Sequence, residues 1–221
     1  MKSVLFVLLA CLSLSGYAQD TLSKWSLGVV GGVEQVGRRL SEANDNQDVI
    51  DQWNSLEENV WRLSGGLRLQ RELSAHFSVY SGLVYSDRGY RIDTLQEAGL
   101  NSMKFHFRYI ELPIGLQYTG KRFGKNALLA GTSLNVGYAF SDVVYYNKNG
   151  QTAQFEMSAM PNVNAINLNV NAMLGVRRTI TNTASLDLYL SGNQALSPLA
   201  DGQLERRFYS FGLFMALMSA F

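Results

Sequence analysis

Cysteine, proline and lysine are scarce in this chain, and no apolar run is long enough to cross a bilayer as a helix. The one cysteine, Cys11, sits near the start, so a chain processed after Ala18 holds neither a disulfide nor a thiol nucleophile. Three prolines and 20 glycines in 221 residues exclude a collagen-like or disordered composition. A membrane-spanning helix needs about 20 apolar residues. The longest stretch here, Val4 to Leu14, is shorter, and every later segment is broken by charges or turn residues. Charge is nearly balanced, 19 basic residues against 18 acidic, which removes any electrostatic reason to expect a nucleic-acid partner.

What is present begins with an export signal. Met1-Lys2-Ser3 is a basic start, Val4 to Leu14 is the apolar region, and Ser15-Gly16-Tyr17-Ala18 supplies the small residues of a cleavage site. Residues 1–18 are therefore expected to be a cleaved signal peptide and residues 19–221 a single domain. Leu8-Leu9-Ala10-Cys11 is a poor lipoprotein site, because the apolar region runs on past Cys11.

Period-two alternation dominates the rest. From Asn164 to Arg177, Ile166, Leu168, Val170, Ala172, Leu174 and Val176 alternate with Asn167, Asn169, Asn171, Met173, Gly175 and Arg177, which describes a strand with one apolar and one polar face. Trp61 to Gln70 and Leu128 to Tyr138 repeat the pattern, and Trp25–Gly37, Phe77–Asp87, Lys104–Tyr118, Ala184–Ser191 and Arg207–Phe221 complete eight strands. In Lys104–Tyr118 the apolar phase changes, from Phe105 and Phe107 to Ile110, Leu112, Ile114, Leu116 and Tyr118. That predicts a bulge or the end of membrane pairing near Arg108-Tyr109. Connections alternate long and short, with long ones over residues 38–59, 88–103, 141–163 and 192–206. The expected fold is all-β: an eight-stranded antiparallel up-and-down transmembrane β-barrel, with short turns and both termini periplasmic.

A soluble lipocalin-like barrel shares the alternation but would meet water with lysine and glutamate on its outer face. Here all six lysines lie in the signal peptide, in connections or at strand edges, and the polar face is built from Gly, Ser and Asn. Trp25, Trp61, Tyr118, Tyr138, Phe140 and Tyr209 stand near strand ends, where amphipathic rings meet headgroups. Counting back by twos from Phe221, the last strand shows Ser219, Leu217, Met215, Leu213, Phe211 and Tyr209 on one face, apolar apart from Ser219. A strand ending in Phe at this spacing resembles the signal by which outer-membrane barrels are handed to the assembly machinery.

Tyr80-Ser81-Gly82-Leu83-Val84-Tyr85-Ser86 with Gly89, then Tyr109-Ile110-Glu111-Leu112-Pro113-Ile114-Gly115-Leu116-Gln117-Tyr118, then Leu129-Ala130-Gly131 leading to Asn135-Val136-Gly137-Tyr138, resemble the outer-membrane β-barrel family typical of Bacteroidetes, which includes PorT-like proteins. The likeness implies an outer-membrane barrel of a Gram-negative envelope, with no catalytic residues and no cofactor, and a role connected with secretion. It also makes Pro113 interpretable: lacking an N–H, it should mark an irregular pairing on the lumen face beside Glu111 and Gln117.

The candidate functional residues are lumen charges and loops. By phase Glu34, Arg62, Arg68, Glu111, Arg177 and Asp187 point inward, where an eight-stranded barrel has only enough room for side chains. They must pair, and Arg177–Asp187 and Glu34–Arg62 are the expected pairs. His76 and His106 have no metal-ligand spacing, and no nucleophile motif accompanies a Ser-His-Asp arrangement at His106. Asn44-Asp45-Asn46-Gln47-Asp48 starts like a calcium loop but lacks its glycine and terminal glutamate. Ile50, Trp53, Leu56 and Val60 predict a short amphipathic helix over the barrel mouth. Tyr145, Tyr146, Phe155, Met157 and Met160, with Pro161, form an apolar third loop, a candidate partner-contact surface. Expected partners are outer-membrane lipid, the assembly machinery and an envelope protein. Three functions stay open: an envelope scaffold or partner-binding barrel, a narrow pore or solute-binding barrel, and a soluble lipid carrier.

Overall fold

The computed structural model describes residues 25–42, 47–95, 100–148, 151–156, 164–199 and 204–221. The expected signal peptide, Asn44 to Asn46, Met157, Met160 and Pro161 lie outside them. The described elements are β1 (Trp25–Glu42), α1 (Gln47–Leu56), β2 (Glu57–Glu58), β3 (Val60–Glu72), β4 (Phe77–Leu95), β5 (Leu100–Phe123), β6 (Asn126–Lys148), β7 (Gln151–Glu156), β8 (Ile166–Thr179), β9 (Ala184–Ala195) and β10 (Leu204–Ala220).

Eight of the strands form a ring in the order β4-β3-β1-β10-β9-β8-β6-β5, closed by pairing of β5 with β4. All its pairings are antiparallel, and the first and last strands meet along a seam that runs from Ser26 opposite Ala220 to Glu42 opposite Leu204. The eight expected strands are the eight staves. The expected long loops, however, are in large part strand: β4 runs to Leu95, β6 to Lys148, and β7 adds to β6 as a hairpin. Apolar alternation stops where lipid stops, but the hydrogen-bond ladder does not, so the pattern that marks a membrane strand understates its length.

Alternate residues take opposite faces. On the outside, Leu63, Leu67, Leu83, Ile114, Leu174, Leu188 and Leu213 stand exposed, Leu63 by 72% and Ile114 by 60%. In water such a continuous apolar band would be untenable; it is the surface a bilayer covers. The soluble-carrier reading fails here, because it needs those faces turned inward. Aromatic rings bound the band, with Trp25, Phe77 and Tyr118 toward the short turns and Trp61, Tyr85, Tyr138, Phe140 and Tyr209 toward the long hairpins. These are called below the turn end and the loop end.

At the loop end the two faces exchange character. In β5 the odd positions Phe105, Phe107, Tyr109, Glu111 and Gln117 all point inward and the even ones outward, without interruption. The strand does not flip; its surroundings do. The register shift expected at Arg108-Tyr109 is present, but the extra residue belongs to β6: Arg108 faces Ser141 and Tyr109 faces Ala139, leaving Phe140 unmatched. Past it, β6 buries Asp142 and Val144 rather than the odd positions.

Two local features follow from single residues. Pro113 points inward and pairs with Asn135, while the β4–β5 ladder breaks between Ser81 opposite Ile114 and Val84 opposite Glu111 without changing register. That is the irregularity a missing N–H requires. Gly124, at φ +65°, makes the tight turn from β5 to β6. The expected mouth helix is α1, with Ile50 buried and Leu56 against the loop-end core; Val60 already belongs to β3.

A charge placed in the middle of the apolar band should be costly while the same charge at its edge is not. Ile114→Lys is expected to lose about 2–4 kcal/mol of folding stability in lipid vesicles, and Tyr118→Lys about 1 kcal/mol or less. Denaturant titrations of vesicle-inserted protein check this; equal losses at the two sites would displace the membrane boundary.

Candidate functional site

The lumen is filled in layers. Toward the turn end Val30, Tyr80, Leu129, Met173, Tyr189, Ala216 and Met218 make an apolar floor, with Tyr189 and Phe214 stacked at 5.8 Å. Toward the loop end Val36, Tyr90, Ile92, Phe105, Phe107, Tyr109, Val144, Ala195, Leu199 and Phe208 make an apolar ceiling, with Tyr90 stacked on Phe105 at 4.3 Å. A cavity of about 90 Å³ rests on the floor, lined by Glu34, Ser64, Ser86, Glu111, Asn135 and Asn193 among others. It has room for about three waters at ~30 Å³ each.

Charged side chains bridge the ring from within. Arg88 of β4 meets Glu111 of β5 at 2.6 Å and donates across the lumen to the amide oxygens of Asn167 (3.1 Å) and Asn169 (2.5 Å) on β8. Arg177 grips Asp187 with both Nε and Nη2, at 2.7 and 2.8 Å, and reaches across to Gln70 of β3 at 3.3 Å. This is the expected β8–β9 pair, formed between register partners. Arg68 donates to Gln117 at 2.5 Å and lies 3.8 Å from the centre of the Tyr80 ring. Glu34 accepts from the Ser64 hydroxyl.

The expected Glu34–Arg62 pair does not form, although the two residues are register partners on β1 and β3. β3 is bonded to β4 only as far as Ser64, so Arg62 turns around the open strand edge to the outer face. There its guanidinium lies 3.7 Å from Asp87 and 3.3 Å from Nε2 of His106. Arg88 takes its place in the lumen. Ending the strand at Asp87 hid it, but the signal was present: Tyr80, Gly82, Val84 and Ser86 share a face that Arg88 continues. The inward charges of this network are thus Arg68, Arg88 and Arg177 with Glu34, Glu111 and Asp187, and Arg38 and Asp142 are buried nearer the loop end.

The histidines stay apart. His76, at the turn end, stacks on Tyr118, and His106 has Asp87 at 3.1 Å from Nδ1. In a Ser-His-Asp relay Nε2 would face a hydroxyl; here it faces an arginine. Among the described residues no three His, Cys, Asp or Glu side chains are grouped as metal ligands.

At the loop end Arg38 pairs with Glu57 and lies 3.8 Å over Tyr90. Burial lowers its pKa to about 10, which leaves it charged at neutral pH. Of the third-loop aromatics, Phe155 packs against the ceiling and meets Tyr146 at 6.0 Å, and Tyr145 stands edge-on to His106 at 5.4 Å. These three residues are strand and half-buried, folded over the rim rather than held out as a loop.

The ring, its apolar exterior and its filled interior define a small membrane barrel. Residues 17–201 match the family model described as outer membrane protein beta-barrel domain, and the chain belongs to that family. It is an outer-membrane protein. Solved structures of similar shape include Neisserial surface protein A (9% identity, 89% of this chain and 97% of that one, TM-score 0.49). OprG from Pseudomonas aeruginosa is 10% identical over 90% and 97% of the two chains, with a TM-score of 0.49. Ail, the attachment invasion locus protein of Yersinia pestis, is 11% identical over 89% and 99%, with a TM-score of 0.40. No curated protein matches the sequence.

Removing one member of a buried pair should cost more than removing both. Arg88→Met, which strands Glu111, is expected to lose about 3–5 kcal/mol, and Arg88→Met with Glu111→Leu to recover most of it. Unfolding free energies in vesicles decide the point; a single variant costing under about 1 kcal/mol would show that Arg88 does not hold the lumen together.

Proposed function

We propose that this protein is a non-enzymatic, non-conducting outer-membrane barrel that acts as an envelope scaffold or partner-binding element, with the sheet of β4, β5, β6 and β7 at its loop end as the working surface. The observation that carries this is the filled lumen. A solute would have to pass Tyr80, Tyr189 and Met218 at one end and Phe107, Tyr109 and Phe208 at the other, with the Arg88–Glu111 and Arg177–Asp187 pairs between and below. A pore would have to break cross-lumen hydrogen bonds and expose apolar side chains to do so.

In this reading the short turns and both termini face the periplasm and the loop end faces outward. The alternation of tight turns with long hairpins supports this orientation. The outward row Tyr209, Phe211, Leu213, Met215 and Leu217 of β10, running on to Phe221, is the edge offered to the assembly machinery before β1 closes on it. The PorT-like resemblance supports a partner that belongs to a secretion apparatus. Tyr145, Tyr146 and Phe155 lie nearest to the surface such a partner would meet.

Protein folded in planar bilayers is expected to show no channel events, and the same protein should resist carbonate extraction and migrate differently on gels before and after boiling. Photo-crosslinkers at Tyr145 and Gln154 should capture a discrete envelope protein in cells. Steady unitary conductance from the folded form would replace the scaffold reading with a pore.

A further inference from the structure

The outer face of β5 changes chemistry in one step. Lys104, His106 and Arg108 occupy three successive outward positions, and Ile110, Leu112, Ile114, Leu116 and Tyr118 the next five. The five apolar residues are exposed to lipid, so the three basic ones begin where the hydrocarbon ends. Arg62 arrives at the same place from β3, beside His106.

The carboxylate that faces Arg108 in the ladder is already engaged. Asp87 stands opposite Arg108 across the ladder, yet its carboxylate is turned to Arg62 and His106. Farther from the band, Arg91 has Glu58 as its register partner. Lys104 and Arg108 are left facing outward with neutral cross-strand neighbours on β6, Tyr145 opposite Lys104 and Ser141 opposite Arg108. Both neighbours carry hydroxyls that donate to an anionic oxygen. Elsewhere on the loop-end rim Arg39 and Arg207 face each other on β1 and β10. On β8 and β9 the outward residues toward the loop end are instead Ile166, Gln194 and Leu196.

We propose that this sector, with Lys104 and Arg108 as the charged ligands and Ser141 and Tyr145 as hydroxyl donors, binds the phosphate of a membrane-lipid headgroup. Arg62 and His106 are positioning residues: they hold the Asp87 carboxylate and keep it from neutralising Arg108. The occupant is a lipid because the strand that carries the cations carries the acyl-facing residues directly beneath them. A phosphate anchored to an acyl chain therefore sits at this height without leaving the bilayer. Arg and Lys suit the task differently, Arg108 as a planar fork and Lys104 as a mobile point charge.

The test uses the full chain carrying Cys11→Ser and Val143→Cys, with a fluorophore on Val143→Cys, the outward position opposite His106. The protein is reconstituted in phosphatidylcholine vesicles. Quenching by nitroxide-labelled phosphatidic acid is compared with quenching by nitroxide-labelled phosphatidylcholine. Phosphatidic acid is expected to quench at an about tenfold lower lipid fraction, from two surface cations acting on one headgroup. Lys104→Gln with Arg108→Gln should abolish the preference. Lys104→Arg with Arg108→Lys, which keeps both charges and the same gel migration, should retain it. Equal quenching by the two lipids, or a preference that survives the double Gln change, overturns the proposal. Loss of the preference on adding inorganic phosphate would assign the site to free phosphate and overturn the lipid as its occupant.

Discussion

A strand in hydrocarbon has no water to satisfy its N–H and C=O groups, and each group left unpaired costs several kcal/mol. Everything else in this molecule depends on the way that constraint is met, by pairing β1 with β10 and β5 with β4 so that the strands close into a ring. Closing the ring with only eight staves makes it narrow, and a narrow ring must be filled with side chains rather than with solvent. The interior is therefore a packing problem of the kind a soluble core presents, but one that must be solved with the polar half of each alternating strand.

That problem is solved differently along the axis. Inside the band the polar face contributes Ser, Asn and Gly with a few charges, and Tyr80, Tyr189 and Met173 fill the remaining volume. Beyond the band the same parity of β5 delivers Phe105 and Phe107 to the interior, because the outside there meets water and the polar residues belong on it. Phe140 makes the corresponding adjustment on β6 by inserting one residue. The membrane thus divides a continuous ladder into an inside-out barrel and an ordinary β-core stacked on it, and the second closes the first.

The buried charges link the staves that the ladder does not. Arg88 ties β4 to β5 and β8, Arg177 ties β8 to β9 and β3, and Arg68 ties β3 to β5. A buried ion pair contributes little net stability against apolar residues of equal volume, but its loss on one side is expensive. Such pairs fix which residues face one another across the lumen, which is a matter of register rather than strength.

Much of this was legible in the residues. Ile166 to Arg177 stated its two faces outright, the Gly-Ser-Asn lumen excluded a soluble exterior, and Arg177 with Asp187 could be paired because a short turn sets their register. Pro113 announced an interrupted ladder. Other features were out of reach. Arg88 was lost with the outer half of β4, since past the band hydrophobicity no longer marks the strand. Arg62 was assigned inward by a parity that its backbone obeys and its side chain escapes at an unpaired edge. The sequence by itself determined the alternating faces, the ring of eight staves and the position of the membrane, because lipid imposes one polarity rule on every strand it touches. Which inward charge meets which, how the lumen is filled and where the Arg62 side chain goes were decided only by the tertiary structure, because those depend on strand ends and cross-barrel distances that no local pattern encodes.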